Sequence, residues 1–297
     1  MISLILAKKI LSLFLVMALG IVLVRCGIVR SRDSKVLSMI SLYLVMPCVI
    51  ISSFQVKYQP EILNGLLLAL ATAVLLQLVL IVVVGFLGKV LKLDGVEETS
   101  LIYSNAGNLI IPIVTAILGK EWVIYTSAFL SVQLFLLWSH AKMKLCGEKG
   151  IDLKKILTNI NMIAIFAGVL LFLLRIQLPA PVQDAVDSIS SMVGPMGMLI
   201  LEMDLKKLLS YHRLWWITLL RLVGIPLIGI VLLKYSGLAA LVPEGRTILL
   251  VTLLAICTPS ASTLTQMAQV YGKDADYASA INVVTTLLCI VTMPLMV

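Results

Sequence analysis

The chain of 297 residues is 61% hydrophobic and 13% charged, with a formal net charge of +8 and a mean hydropathy of +1.10. Soluble domains average about 25% charged residues, and a soluble globule could not hide this much apolar surface, so the class is a polytopic helical membrane protein. The positive charge reads as topology-setting loop residues rather than a nucleic-acid surface, and Cys26, Cys48, Cys146, Cys257 and Cys289 lack the paired spacing of a disulfide framework or metal site.

Charged residues delimit ten apolar runs, at 10–24, 36–56, 62–88, 99–119, 122–141, 156–174, 188–201, 214–233, 247–272 and 277–297. A spanning helix needs roughly 20 residues, and most runs supply them. The first is expected to begin before Lys8-Lys9, whose stems can snorkel to the interface. Arg25 and Cys26 follow it where a signal peptide would carry small cleavage-site residues, so it reads as a retained helix. The seventh run, around Gly194-Pro195-Met196-Gly197, is short and is expected to extend from about Val182 to Leu205.

The fourth run holds Ser104-Asn105-Ala106-Gly107-Asn108-Leu109-Ile110-Ile111-Pro112. Two asparagines and a glycine in mid-membrane are expensive unless they face protein or a cavity. Pro112 lacks an N–H and clashes with the preceding turn, so it is expected to break or kink the helix there, with the chain unwound before it or simply bent. Asn105 and Asn108 then either face a substrate or bond neighbouring helices. The ninth run breaks at Thr258-Pro259-Ser260, and Ala261-Ser262-Thr263 and Gln266 follow. A second half-helix starting near Ser260 would present orphan N–H groups and a partial positive charge. Two such ends meeting near the midplane suit a carboxylate. Alternatively, the hydroxyls only satisfy broken backbone bonds. Paired breaks in two halves are the best sequence pointer to a transporter's binding site.

Arg221 is the one cation well inside an apolar run. It must pair, bind an anion or snorkel, because the guanidinium stays charged. Two readings stand: a salt bridge to Glu202 or Asp204 at the end of helix 7, or attraction of an anion. A proton-coupling role for Glu202 is a further option. Gln133 and Asn282, on the helices that follow the broken ones, are the spanning polar residues placed to reach the crossing, where an interhelical hydrogen bond is an equal alternative.

The loops after helices 1, 3, 5, 7 and 9 hold fifteen Lys and Arg, against seven on the other side. The positive-inside rule therefore puts both termini on the non-cytoplasmic side. Pro47 and Pro195 are 148 residues apart, Pro112 and Pro259 are 147 apart, and Tyr125 and Tyr277 are 152 apart. The expected fold is all-α: ten transmembrane helices as two inverted five-helix repeats, 1–141 and 156–297, with broken, crossing helices 4 and 9. Residues 142–155 form a cytoplasmic linker. Inverted repeats are a transporter signature. Hydrolase, zincin and phosphate-loop motifs do not occur in the sequence, so the chain reads as a non-enzyme without a cofactor.

The stretch Asn105-x-x-Asn108-x-x-x-Pro112 is similar to the helix-4 signature of the auxin efflux carrier family. Pro259-Ser-Ala-Ser-Thr through Ala268-Gln269-Val270-Tyr271-Gly272 is similar to its helix 9, and Arg221-Leu222 followed by Pro226 resembles its helix 8. The resemblance covers essentially the whole chain. It implies a bile-acid-symporter-like fold in which helices 1, 2, 6 and 7 form a dimerising scaffold and helices 3–5 and 8–10 form an elevator-like transport unit. It further implies a small organic anion as substrate, a bacterial inner-membrane location and a proton or sodium as coupling ion. The short middle loop departs from many plant exporters, Glu202 stands where a small residue is expected, and Leu109-Ile110-Ile111 lacks the glycine often found before the proline.

Overall fold

The computed structural model describes residues 34–57, 60–119, 122–147, 157–200 and 211–296, with residue 154 and parts of 12–28. Its helices are α1 (Ser34–Ile40), α2 (Met46–Ser53), α3 (Pro60–Leu91), α4 (Gly95–Ile102), α5 (Ala106–Ile117), α6 (Val123–Leu136), α7 (Lys142–Cys146) and α8 (Ile160–Leu173). They continue with α9 (Ala180–Ser190), α10 (Val193–Ile200), α11 (Leu214–Leu219), α12 (Ile225–Tyr235), α13 (Gly245–Cys257), α14 (Ser262–Val270) and α15 (Ala275–Met296). The π-helical turns Ser41–Val45, Leu137–Ala141 and Leu220–Gly224 join α1 to α2, α6 to α7, and α11 to α12. Pro47 and Pro226 each follow a π turn closely. A proline ring displaces the carbonyl four residues earlier, and the wider turn accommodates that carbonyl without ending the helix.

Among the described residues, four helical stretches are long and apolar enough to cross a membrane: Val36–Ser53, Ile62–Leu91, Val123–Cys146 and Leu214–Tyr235. They match the second, third, fifth and eighth runs read from the sequence. Ile160–Leu173 and Gly245–Cys257 are shorter apolar helices. α3 shows why an aqueous surface does not suit this protein. Leu76, Leu80 and Val84 are fully buried, while Leu78, Val82, Phe86 and Val90 are 52–70% exposed on the opposite side. A helix apolar all round is either buried in a core or faces lipid, and a continuous exposed apolar stripe has no place in water.

The buried face of α3 packs on α6. Gly65 permits that approach, since a Cβ there would sit 2.7 Å from the Tyr125 ring. At its end, α3 stops at Lys92, which takes a left-handed φ of 53°, and the Leu93 N–H returns to the Gly88 carbonyl at 2.9 Å. α4 then starts at once with a full capping box. Asp94 Oδ1 accepts from the Glu97 N–H at 2.8 Å, and Glu97 Oε2 accepts from the Asp94 N–H at 3.0 Å. This turn aims α4 back into the protein, towards the break in predicted helix 4.

That break lies upstream of the expected position. The helix ends at Ile102, and Tyr103, Ser104 and Asn105 are non-helical. α5 runs from Ala106 through Pro112 to Ile117. The chain is therefore unwound seven residues before Pro112, which sits inside a helix. In the ninth run the break covers Thr258–Ala261 and contains Pro259 itself, and the second half-helix starts at Ser262 rather than near Ser260. Pro112 and Pro259 thus do not occupy equivalent places.

Candidate functional site: the crossing of two broken helices

The two breaks meet. Ser104 and Ser260 form an isolated antiparallel bridge, in which the Asn105 N–H donates to the Pro259 carbonyl at 2.8 Å and the Ala261 N–H donates to the Tyr103 carbonyl at 3.1 Å. Two backbone hydrogen bonds of this kind compensate part of what each helix loses by unwinding in a low-dielectric interior. Tyr103, Ser104, Asn105, Thr258, Ser260 and Ala261 are all buried.

The remaining backbone groups of the two serines are held by side chains from the next helices. Gln133 on α6 acts as a two-sided clamp on Ser104. Its Nε2 donates to the Ser104 carbonyl at 2.8 Å, and its Oε1 accepts from the Ser104 N–H at 3.1 Å and from Oγ at 2.7 Å. On α15, Asn282 Nδ2 donates to the Ser260 carbonyl at 2.5 Å, while Thr285 Oγ1 accepts from the Ser260 N–H at 3.2 Å. Gln133 and Asn282 reach the crossing, and their amides bind backbone there. Thr285 does the same work as the far side of the Gln133 amide; only its position three residues after Asn282 could have drawn attention to it in the sequence.

Two half-helix N-termini face this point. α5 begins at Asn105 and α14 at Ala261, and neither N-cap residue supplies a side-chain hydrogen bond to its helix. α4 and α8 contrast with them, being capped by Asp94 and Asn159. The first-turn N–H groups of an α-helix have no intrahelical acceptor, so uncapped ends leave donors and a partial positive charge for another group. Ser262 Oγ donates to Asn105 Oδ1 at 3.4 Å and links the two ends. Asn105 Nδ2, Ser260 Oγ, Thr265 Oγ1 and Gln266 Oε1 are buried without a hydrogen-bond partner. Buried polar atoms are normally satisfied, so these four, on the two breaks and the first turns of α14, mark groups able to take a further partner.

Residues 5–150 and 147–297 match the family described as membrane transport protein. The chain belongs to this family, that of the auxin efflux carriers. It is a membrane transport protein, and the family is one of transporters rather than enzymes. No curated protein matches the chain.

Of the residues singled out in this protein's sequence, Asn105, Pro259, Ser260 and Ser262 come together at the crossing, Thr263, half-buried, follows in the first turn of α14, and Gln266 is buried one turn further along that helix. Gly107 and Asn108 fall in the first turn of α5; the side chains of Asn108 and Pro112 lie outside the described ones, as does the whole of Glu202. Arg221 is completely buried. Its Nη1 donates to the Leu101 carbonyl at 2.8 Å, and its Nη2 donates to the Thr258 and Ile256 carbonyls at 2.7 and 3.2 Å. These carbonyls belong to the C-terminal ends of α4 and α13. A cation at a helix C-terminus is favoured by the helix dipole, so among the described residues Arg221 is answered by backbone rather than by a carboxylate.

A second polar cluster closes the crossing from the Gly95 end of α4. The buried Glu97 accepts from Tyr277 OH at 3.0 Å and from Arg213 Nη1 at 3.1 Å, and Lys144 Nζ lies 2.5 Å from Glu98. These pairs tie α4, α7, α15 and the start of α11 together. Among the described residues, no group of three or more His, Cys, Asp or Glu could hold a metal ion.

Proposed function

We propose that this protein is a secondary transporter of small organic anions, mono- or dicarboxylates, working by elevator-like alternating access. One observation carries the reading: two uncapped half-helix N-termini and the unpartnered Asn105 Nδ2 converge on a buried point. A carboxylate is acceptor-only and takes up to four hydrogen bonds, so it satisfies these donors, and the helix dipoles favour its charge. The substrate residues in this account are Asn105, Gly107, Asn108, Ser260, Ser262, Thr263 and Gln266. Pro259 shapes the break before α14, and Pro112 lies inside α5 on the other side. Gln133, Asn282 and Arg221 hold the crossing rather than the ligand.

In this account the crossing moves as one unit against a scaffold that includes α1 and α2 and pairs with a second copy. Ties at that boundary include Ser38 Oγ to Gln269 Oε1 at 2.5 Å and Ser127 Oγ to the Ser53 carbonyl at 3.0 Å. The location is a bacterial inner membrane, with both termini outside and the 142–155 segment inside.

A second reading adds sodium coupling. It is favoured by three buried, unpartnered oxygens, Ser260 Oγ, Thr265 Oγ1 and Gln266 Oε1, which are ligands of the kind a hard cation takes.

Counterflow in proteoliposomes tests the proposal. Vesicles loaded with unlabelled malonate, malate, lactate or indole-3-acetate should accumulate the same labelled acid, and a sodium gradient should raise the rate if the second reading holds. Acid binding without counterflow would instead describe a membrane acid sensor and overturn transport.

A further inference from the structure

The crossing brings together four helix ends of two kinds. α5 and α14 present N-termini, while α4 and α13 present C-termini. Each N-terminus is equivalent to roughly +0.5 charge and each C-terminus to roughly −0.5. The four therefore nearly cancel, and a crossing built from helix ends alone has little preference for an anion over a neutral molecule of the same shape.

Arg221 breaks the tie. Its guanidinium is fully buried and spans both negative ends, touching Leu101 of α4 together with Ile256 and Thr258 at the end of α13. It also lies 3.5 Å from the Pro259 carbonyl, which accepts from the Asn105 N–H. Among the described residues no carboxylate pairs with it. One positive charge set against two C-termini cancels them, leaving the two N-termini as a net charge of about +1. Both terminal nitrogens are engaged with carbonyls and only Nε is left without a partner, so the role assigned to the arginine is that of its field on a ligand.

We propose that Arg221 is the residue that sets charge selectivity, turning a crossing with no net charge into one matched to a carboxylate. This inference rests on the anion reading above. It separates a substrate-touching set, Asn105 and the half-helix amides, from a charge-setting residue behind the crossing. For a carboxylate bound about 8 Å from the guanidinium, taken as one side-chain length beyond the carbonyls it touches, and an effective dielectric of about 20, Coulomb's law would make the charge worth about thirty-fold in affinity.

The test compares acids with their uncharged amides, lactate with lactamide and indole-3-acetate with indole-3-acetamide, by titrated thermal shift of the purified full chain. The ratio of acid to amide affinity is the readout, because loss of packing alone would weaken both ligands together. Arg221→Gln should lower the ratio about thirty-fold, and Arg221→Lys, which keeps the charge, should hold it near wild type. Thr218 offers an independent route should Arg221→Gln fail to fold. It is buried, its hydroxyl is unpartnered, and it lies one turn before Arg221, on the same helix face. Thr218→Asp should neutralise the guanidinium in place and lower the ratio, whereas Thr218→Asn should not.

An unchanged ratio in Arg221→Gln or in Thr218→Asp, with the wild type still favouring the acid, would overturn the charge-setting role and leave the anion site standing. A wild type with no preference for any acid over its amide would overturn both.

Discussion

Replacing Gln133 by Leu keeps the side-chain volume and removes the clamp on Ser104. Three hydrogen bonds to Ser104 are lost, at 2.7, 2.8 and 3.1 Å, with a longer one from Gln77 Nε2 at 3.5 Å. The Ser104 N–H and carbonyl have no other role in the bridge, whose two bonds use the neighbouring residues. Both backbone groups are therefore left buried and unpaired, and the Ser104 hydroxyl loses its acceptor as well. Each such group costs about 1–3 kcal/mol, so Gln133→Leu should destabilise the protein by about 2–6 kcal/mol, a large part of a typical folding free energy. Asn282→Leu on the other side orphans only the Ser260 carbonyl, because Thr285 keeps the N–H, and should cost about half as much. Denaturant unfolding in mixed micelles, followed by far-UV circular dichroism, measures both. A Gln133→Leu variant within 1 kcal/mol of wild type, or an Asn282→Leu variant that is the more damaged of the two, would refute the reasoning.

The same unfolding assay reaches two other parts of the fold. Gly95→Ala would put a Cβ 2.5 Å from the Lys144 carbonyl oxygen, which is backbone and cannot swing away; a loss of about 1–3 kcal/mol is expected. Gly85→Ala, with open space around it, should be neutral or slightly stabilising, and equal effects at the two glycines would contradict the packing described. Asp94→Ala removes the capping box that starts α4 and should cost about 1 kcal/mol; unchanged stability would show that α4 is held by its Glu97 and Glu98 pairs alone.

Much of the crossing is legible in the sequence because mid-membrane polarity is costly and therefore informative. Asn105, Ser260 and Ser262 stood out for that reason, and they lie at the crossing. Pro112 misled, since proline is a strong local breaker in general, yet here the helix runs through it. The position of the break is decided by a tertiary contact. Tyr103–Asn105 unwinds where the other broken helix can pair with it, and that partner is about 156 residues away in sequence, the separation of the bridged Ser104 and Ser260. Arg221 was expected to seek a carboxylate at the end of helix 7. Glu202 and Asp204 lie outside the described residues; among those described, its acceptors are carbonyls of residues 101, 256 and 258, and backbone acceptors leave no mark in an amino-acid sequence. The capping box at Asp94 and Glu97 is spelled out locally, whereas the meeting of Glu97, Arg213 and Tyr277 depends on three separate helices.

The site assignment is tested most directly by the ligand response of Asn105→Ala. Asn105 makes no side-chain cap to α5 and only a 3.4 Å contact with Ser262, so the variant should fold with a melting temperature close to wild type. Detergent-purified proteins would be screened by thermal shift against malonate, malate, lactate, indole-3-acetate and taurocholate, with and without sodium. A ligand that binds the folded state raises the melting temperature by mass action. The account predicts a shift of the wild type with at least one small carboxylate and its loss in Asn105→Ala. An equal shift in the two proteins would contradict it.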